Sequence, residues 1–83
     1  MFNKKNYSGI NKEASRKRLF KILDEKGIVQ NQLAEYLGIS PSAVSAWRNQ
    51  DKFPDMENLL IICKAIDVHM EDVLVTYDDS YVR

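Results

Sequence analysis

The chain has 83 residues, 45% of them apolar and 29% charged, the composition of one small folded domain rather than of a disordered or multidomain protein. Its longest apolar run, Leu59–Cys63, is far short of the roughly 20 residues that span a bilayer, and one cysteine excludes an internal disulfide and a thiol-rich metal site. The formal net charge is zero but split: residues 1–52 hold ten Lys/Arg against five Asp/Glu, and residues 53–83 hold two against seven. A polyanion responds to the local patch, so the basic half stays a candidate surface for one.

Residues 1–10 are polar with two isolated aromatics and read as a flexible arm. The lysines of MFNKKNYSGI have no apolar stretch behind them, so this is no secretory signal and a cytoplasmic protein is expected. The domain proper is expected over residues 11–75. Its first helix runs from Asn11 or Lys12 to Lys26, capped by Asn11. Leu19, Ile22 and Leu23 form its buried stripe, with Ala14 or Ser15 one turn earlier and Phe20 at the border. Arg16, Lys17 and Lys21 crowd the other side, and Gly27 stops the helix.

Gln30 to Asn49 reads as two short helices joined by a tight turn. Leu33, Ala34 and Leu37 give the first, over 30–37, one apolar stripe. Gly38 sits where a helix ends in a left-handed residue, and Ile39 points into the angle between the helices. Ser40 caps the second helix, 41–49, and Pro41 fits its first turn. Val44 and Trp47, three apart, face inward; Trp47 reads as core and not as a base-stacking platform. The outer face carries Ser42, Ala43, Ser45, Ala46 and Asn49, small and polar groups that suit close approach to another surface.

Asp55 caps a fourth helix, Met56 to Ile66, whose Leu59, Ile62, Cys63 and Ile66 face the core. Asp67 takes the left-handed stop, Val68 returns to the core, and a short fifth helix from Met70 to Leu74 buries Val73 and Leu74. The tail, residues 76–83 with Val75 ahead of it, alternates apolar and polar residues; a strand, a partner-binding strip and a frayed end all stay open. Cys63 reads as a buried thiol and His69 as a solvated side chain. The chain offers no nucleophile–base pair, metal set or phosphate loop, so no enzyme, cofactor, metal or small-molecule ligand is expected.

The central stretch resembles the helix-turn-helix of Cro and phage-repressor DNA-binding domains. The residues that carry the likeness are Gln30, Leu33-Ala34, Leu37-Gly38-Ile39-Ser40, Val44-Ser45, Trp47 and Asn49. It continues through Pro54, Leu59–Ile62 and Ala65 to Val68, covering about Ala14 to Leu74. The resemblance implies an all-α, five-helix lambda-repressor-like domain that lays its third helix in the major groove of DNA. It places Ser42, Ala43, Ser45 and Ala46 against base edges, and Gln30, Ser40, Arg48, Asn49 and Lys52 on the sugar-phosphate backbone. Ser40 by itself reads more as a cap than as a reader, and Lys4 and Lys5 would let the arm grip a groove.

Three departures from the family pattern stand out. Val29 replaces the usual Ser or Thr cap, at a local cost of about 1 kcal/mol. Asp67 replaces a Gly. Arg48 stands where relatives have Glu, and Leu23 where they have its Arg partner, so the family's ion pair is expected to be absent and Arg48 free to face DNA. The function implied is a sequence-specific DNA-binding transcriptional regulator, a small phage-type or prophage repressor that occludes a promoter, with no sensing or protease-cleaved module beside the domain. One helix reads too few base pairs to single out an operator, so a homodimer is expected. Its contact is placed at the C-terminal end, around His69, Met70, Leu74, Val75, Tyr77 and Tyr81. The alternative is an antitoxin or other protein-interaction module on the same fold.

Overall fold

A computed structural model describes residues 9–50 and 52–77. Five helices follow one another: α1 (Lys12–Glu25), α2 (Gln30–Leu37), α3 (Pro41–Asn49), α4 (Met56–Ala65) and α5 (Met70–Val73). The fold is all-α, with one isolated antiparallel bridge and no strand among the described residues. The α2 and α3 bounds are those the sequence suggests. The others stop one residue early, at Glu25, Ala65 and Val73, because the residues expected to end them adopt cap conformations.

Local chemistry sets most of these ends. Asn11, Ser40 and Asp55 each accept a hydrogen bond at the first turn of their helix, from the amides of Ala14, Ala43 and Asn58. Val29 has no such side chain, as expected, but Gln32 reaches back and accepts the Val29 amide at 3.0 Å. That supplies half of a capping box and offsets part of the missing cap. Three helices end alike. Gly27, Gly38 and Asp67 take left-handed φ of 75°, 71° and 61°. The next amide, of Ile28, Ile39 or Val68, then donates back to Leu23, Ala34 or Cys63. Each of these three apolar residues packs against the core, so each stop also steers the chain inward.

The core joins Leu19, Phe20 and Leu23 of α1, Leu33 and Ala34 of α2, Val44 and Trp47 of α3, and Leu59, Ile62 and Cys63 of α4, with Ile66 and Val73. Phe20, expected at a border, is buried. Leu37, expected in the core, is half-buried because it lies in the last turn of α2. Cys63 is enclosed, and burial raises its thiol pKa, helped by the negative charge of Asp72, which favours the protonated thiol.

The two ends of the domain meet. Ile10 bridges to Thr76, the Asn11 amide donates to the Val75 carbonyl at 2.7 Å, and the Tyr77 amide donates to the Gly9 carbonyl at 3.2 Å. Gly9 and Ile10 are therefore tied down, which corrects the reading of residues 1–10 as an arm throughout; residues 1–8, Lys4 and Lys5 among them, lie outside the described residues. Ser15 sits at the centre of this clasp, fully buried, with its hydroxyl accepting from the Val75 amide at 2.7 Å and donating to the Val75 carbonyl at 3.4 Å. Ser15→Ala leaves the half-buried Val75 amide without its partner. It should cost about 1–3 kcal/mol in urea denaturation, where the exposed Ser42→Ala stays within about 0.5 kcal/mol.

Candidate nucleic-acid interface

The turn between α2 and α3 is held from three sides. Gly38 reverses the chain, Ile39 anchors it, and the Ser40 hydroxyl stands 3.3 Å from the Ala43 amide and 3.0 Å from the Ser42 hydroxyl. Across the turn, the Gln30 amide group donates to the Pro41 carbonyl at 3.1 Å. The first residue of α2 is thus bonded to the first residue of α3, and the amino-terminal ends of both helices converge. Amino-terminal ends carry unpaired amides and the positive pole of the helix dipole, a pairing suited to an anion.

Val44 and Trp47 are buried, which turns the opposite face of α3 outward. That face presents Ser42 and Asn49 exposed, and Ala43, Ser45 and Ala46 partly so. Asn49 donates to the Ser45 hydroxyl oxygen at 3.2 Å, one turn back. Ser45 keeps its own proton to donate, and its orientation is fixed by Asn49. Ser40 is exposed and acts as a cap; Lys52 is exposed in the loop beyond α3.

Arg48 corrects the expectation from sequence. It is not free. Its Nη2 and Nη1 lie 3.0 and 3.4 Å from the two carboxylate oxygens of Asp24, a two-pronged pair, and its guanidinium lies 4.5 Å from the centre of the Phe20 ring. An ion pair between the first and third helices therefore exists here, with the acid on α1 and the base on α3. The hydrogen bond from Arg48 holds the Asp24 carboxyl below its ordinary pKa, with desolvation opposing it and the charge of Arg48 adding to it. Sequence reasoning looked for a partner at position 23 and found Leu23, which is core; the carboxylate is one residue on. It missed Arg16 as well, whose Nη1 donates to the Arg48 carbonyl at 2.7 Å and so closes the carboxyl end of α3. Arg16, Lys17, Phe20, Lys21, Asp24, Glu25 and Arg48 line one cleft between the two helices, with four cations against two carboxylates.

Of the apolar strip expected at the C-terminal end, Met70 and Leu74 pack against the core, because α5 has only one turn with which to close it. His69 and Tyr77 are exposed, Val75 is half-buried, and Tyr81 lies outside the described residues. Among the described residues, no group of three or more His, Cys, Asp or Glu is placed to hold a metal, and no helix is long and apolar enough to cross a membrane.

Two helices joined by a left-handed turn, the second showing a small polar face beside the head of the first, define a helix-turn-helix domain. The chain belongs to the Cro/C1-type helix-turn-helix DNA-binding domain family, whose model matches residues 18–79. It is 39% identical over 49 residues to the HTH-type transcriptional activator BcrR of Enterococcus faecalis; the match covers 59% of this chain and 24% of that relative, so it spans about a quarter of BcrR. The fold is similar to a crystal structure of a Bacteroides fragilis protein proposed to bind DNA. The TM-score is 0.64 at 24% identity, covering 70% of this chain and 94% of the other.

Proposed function

We propose that this protein is a sequence-specific, double-stranded-DNA-binding transcriptional regulator that sets α3 in the major groove as a homodimer. The observation that carries this reading is the outward face of α3, small and polar, locked beside the head of α2 by the Gln30–Pro41 bond. The major groove admits a helix of this kind. Ser42, Ala43, Ser45 and Ala46 meet base edges. Hydroxyls discriminate weakly and methyls touch thymine methyls, so DNA shape and water share the readout. Gln30, Ser40, Asn49, Lys52 and Arg48 address the backbone, which sets register and not sequence.

The regulator acts as a small phage-type repressor, by occluding a promoter. BcrR is an activator; for a domain of this size the sign of regulation follows from where the operator lies relative to the promoter. The dimer contact is assigned to the C-terminal end, where His69 and Tyr77 are exposed beside an acidic α5, far in sequence from the basic half. Two recognition helices about 34 Å apart then read successive major grooves.

Selection of bound duplexes from a random DNA pool tests both parts. Enrichment of one palindromic motif is the expected result; an unenriched pool overturns specificity, and a non-palindromic motif overturns the two-fold dimer. A mutational split checks the roles. Gln30→Ala should weaken binding to every duplex about fivefold, the loss of one hydrogen bond, without changing the motif. Replacements at Ser42 and Ala46 should change the preferred base by about 1–3 kcal/mol in competition binding. If Gln30→Ala altered the motif and Ser42 changes did not, the roles would be reversed.

A further inference from the structure

We propose that Asp24 limits DNA affinity by occupying Arg48 in place of a backbone phosphate, and that a phosphate displaces the carboxylate when the domain docks. The proposal rests on the DNA-binding reading above and adds a residue that reading does not contain. Arg48 is in the last turn of α3, next to Asn49 and ahead of Lys52, at the end of the face assigned to DNA. Its two terminal nitrogens are held by the two oxygens of one carboxylate, the same two-pronged geometry a phosphate offers. Asp24 is thus an internal copy of the ligand's charge, placed on the ligand's binding group.

The hold is weak enough to exchange. The Arg48 and Asp24 side chains are 33% and 59% exposed, and an ion pair in that setting is close to neutral in free energy because water competes for both partners. The cleft favours an incoming anion, since Arg16, Lys17 and Lys21 line it with Arg48. A duplex phosphate also brings condensed counterions whose release drives binding, and Asp24 has none to release. Phe20 lies under the guanidinium, and Arg16 fixes the Arg48 carbonyl. The group can therefore turn its charged edge from Asp24 to a phosphate without losing its seat. The competing account makes the Asp24–Arg48 pair a brace that sets the angle of α3 against α1; removing Asp24 would then weaken binding.

The test is titration of a short mixed-sequence DNA duplex, at several salt concentrations, with the full chain and with Asp24→Asn, Glu25→Gln, Arg48→Gln and the Asp24→Asn/Arg48→Gln double variant. Melting curves establish that each is folded. Glu25 lines the same cleft and controls for loss of one negative charge. Asp24→Asn should bind about two- to fivefold tighter with the log–log salt slope unchanged, because a phosphate takes Arg48 in both proteins and only the competing carboxylate is lost. Glu25→Gln should gain less and leave the slope unchanged, and in the Arg48→Gln background the Asp24→Asn gain should vanish. Asp24→Asn binding no tighter than the unsubstituted chain, gaining no more than Glu25→Gln, or keeping its gain without Arg48, overturns the proposal. Absence of any duplex binding by the unsubstituted chain is a different result: it overturns the DNA-binding reading itself.

Discussion

Trp47→Ala should lower stability by about 3–5 kcal/mol, measured by chemical denaturation, the range for removing a large aromatic from a packed interior. Trp47 is 8% exposed and is the largest side chain that α3 contributes to the core. A domain of this size has a total stability of about 4–12 kcal/mol, so the variant sits at the edge of folding. The loss goes beyond transferred area. Trp47 and Val44 are the two buried anchors of α3, and with Val44 alone its rotation rests on the exposed or part-buried polar contacts of Pro41 and Arg48. A folded remnant should therefore lose sequence preference before it loses helix content. A midpoint unchanged from the parent would mean that Trp47 faces outward and that the polar face assigned to DNA is the buried one.

Affinity of each protomer for its half-site on duplex DNA should fall about a hundredfold between about 50 and about 200 mM salt. That follows if each protomer neutralises about four phosphates, which gives a log–log slope near −3.6. The groups in reach are Lys52, Arg48 and the α1 cations Arg16, Lys17 and Lys21. Lys17 pairs with Glu13 at 3.4 Å, but both are well exposed and the pair offers little resistance. The formal neutrality of the chain does not weaken this expectation, because with screening over about 10 Å a phosphate responds to the cations near it, those of the α1–α3 cleft and Lys52, and not to the net charge. A flat response would remove the phosphate contacts from the interface and leave α3 without a register on the duplex.

What the sequence disclosed, and what it hid, follows the range of the forces involved. Helix ends depend on neighbours a few residues away, and Asn11, Gly27, Gly38, Ser40, Asp55 and Asp67 all act where their chemistry suggests. Core faces depend on spacing, and the α2, α3 and α4 stripes are legible for that reason. The pairings that were missed are between positions far apart: Asp24 with Arg48, Arg16 with the Arg48 carbonyl, Ser15 with Val75, and Ile10 with Thr76. No periodicity encodes them. Asp24 was hidden further by the family pattern, which directs attention to position 23, about 100° around the helix. Phe20, which spacing alone puts at the border, joins the core cluster and has the Arg48 guanidinium 4.5 Å from its ring, another contact between distant positions.

The clasp between the ends makes residues 9–11 and 75–77 one cooperative unit. The amides of Asn11, Val75 and Tyr77 are paired across it, so none exchanges its proton with solvent until the whole clasp opens. Local opening of residues 9–11 and of residues 75–77 is therefore one event and not two. Ser15 connects that event to the interior of α1, whose next residue holds the end of α3. Opening the clasp therefore releases the bridge, the bonds of a buried hydroxyl and part of the support of α3 together, which ties residues 9–11 and 75–77 to the packing of the interior.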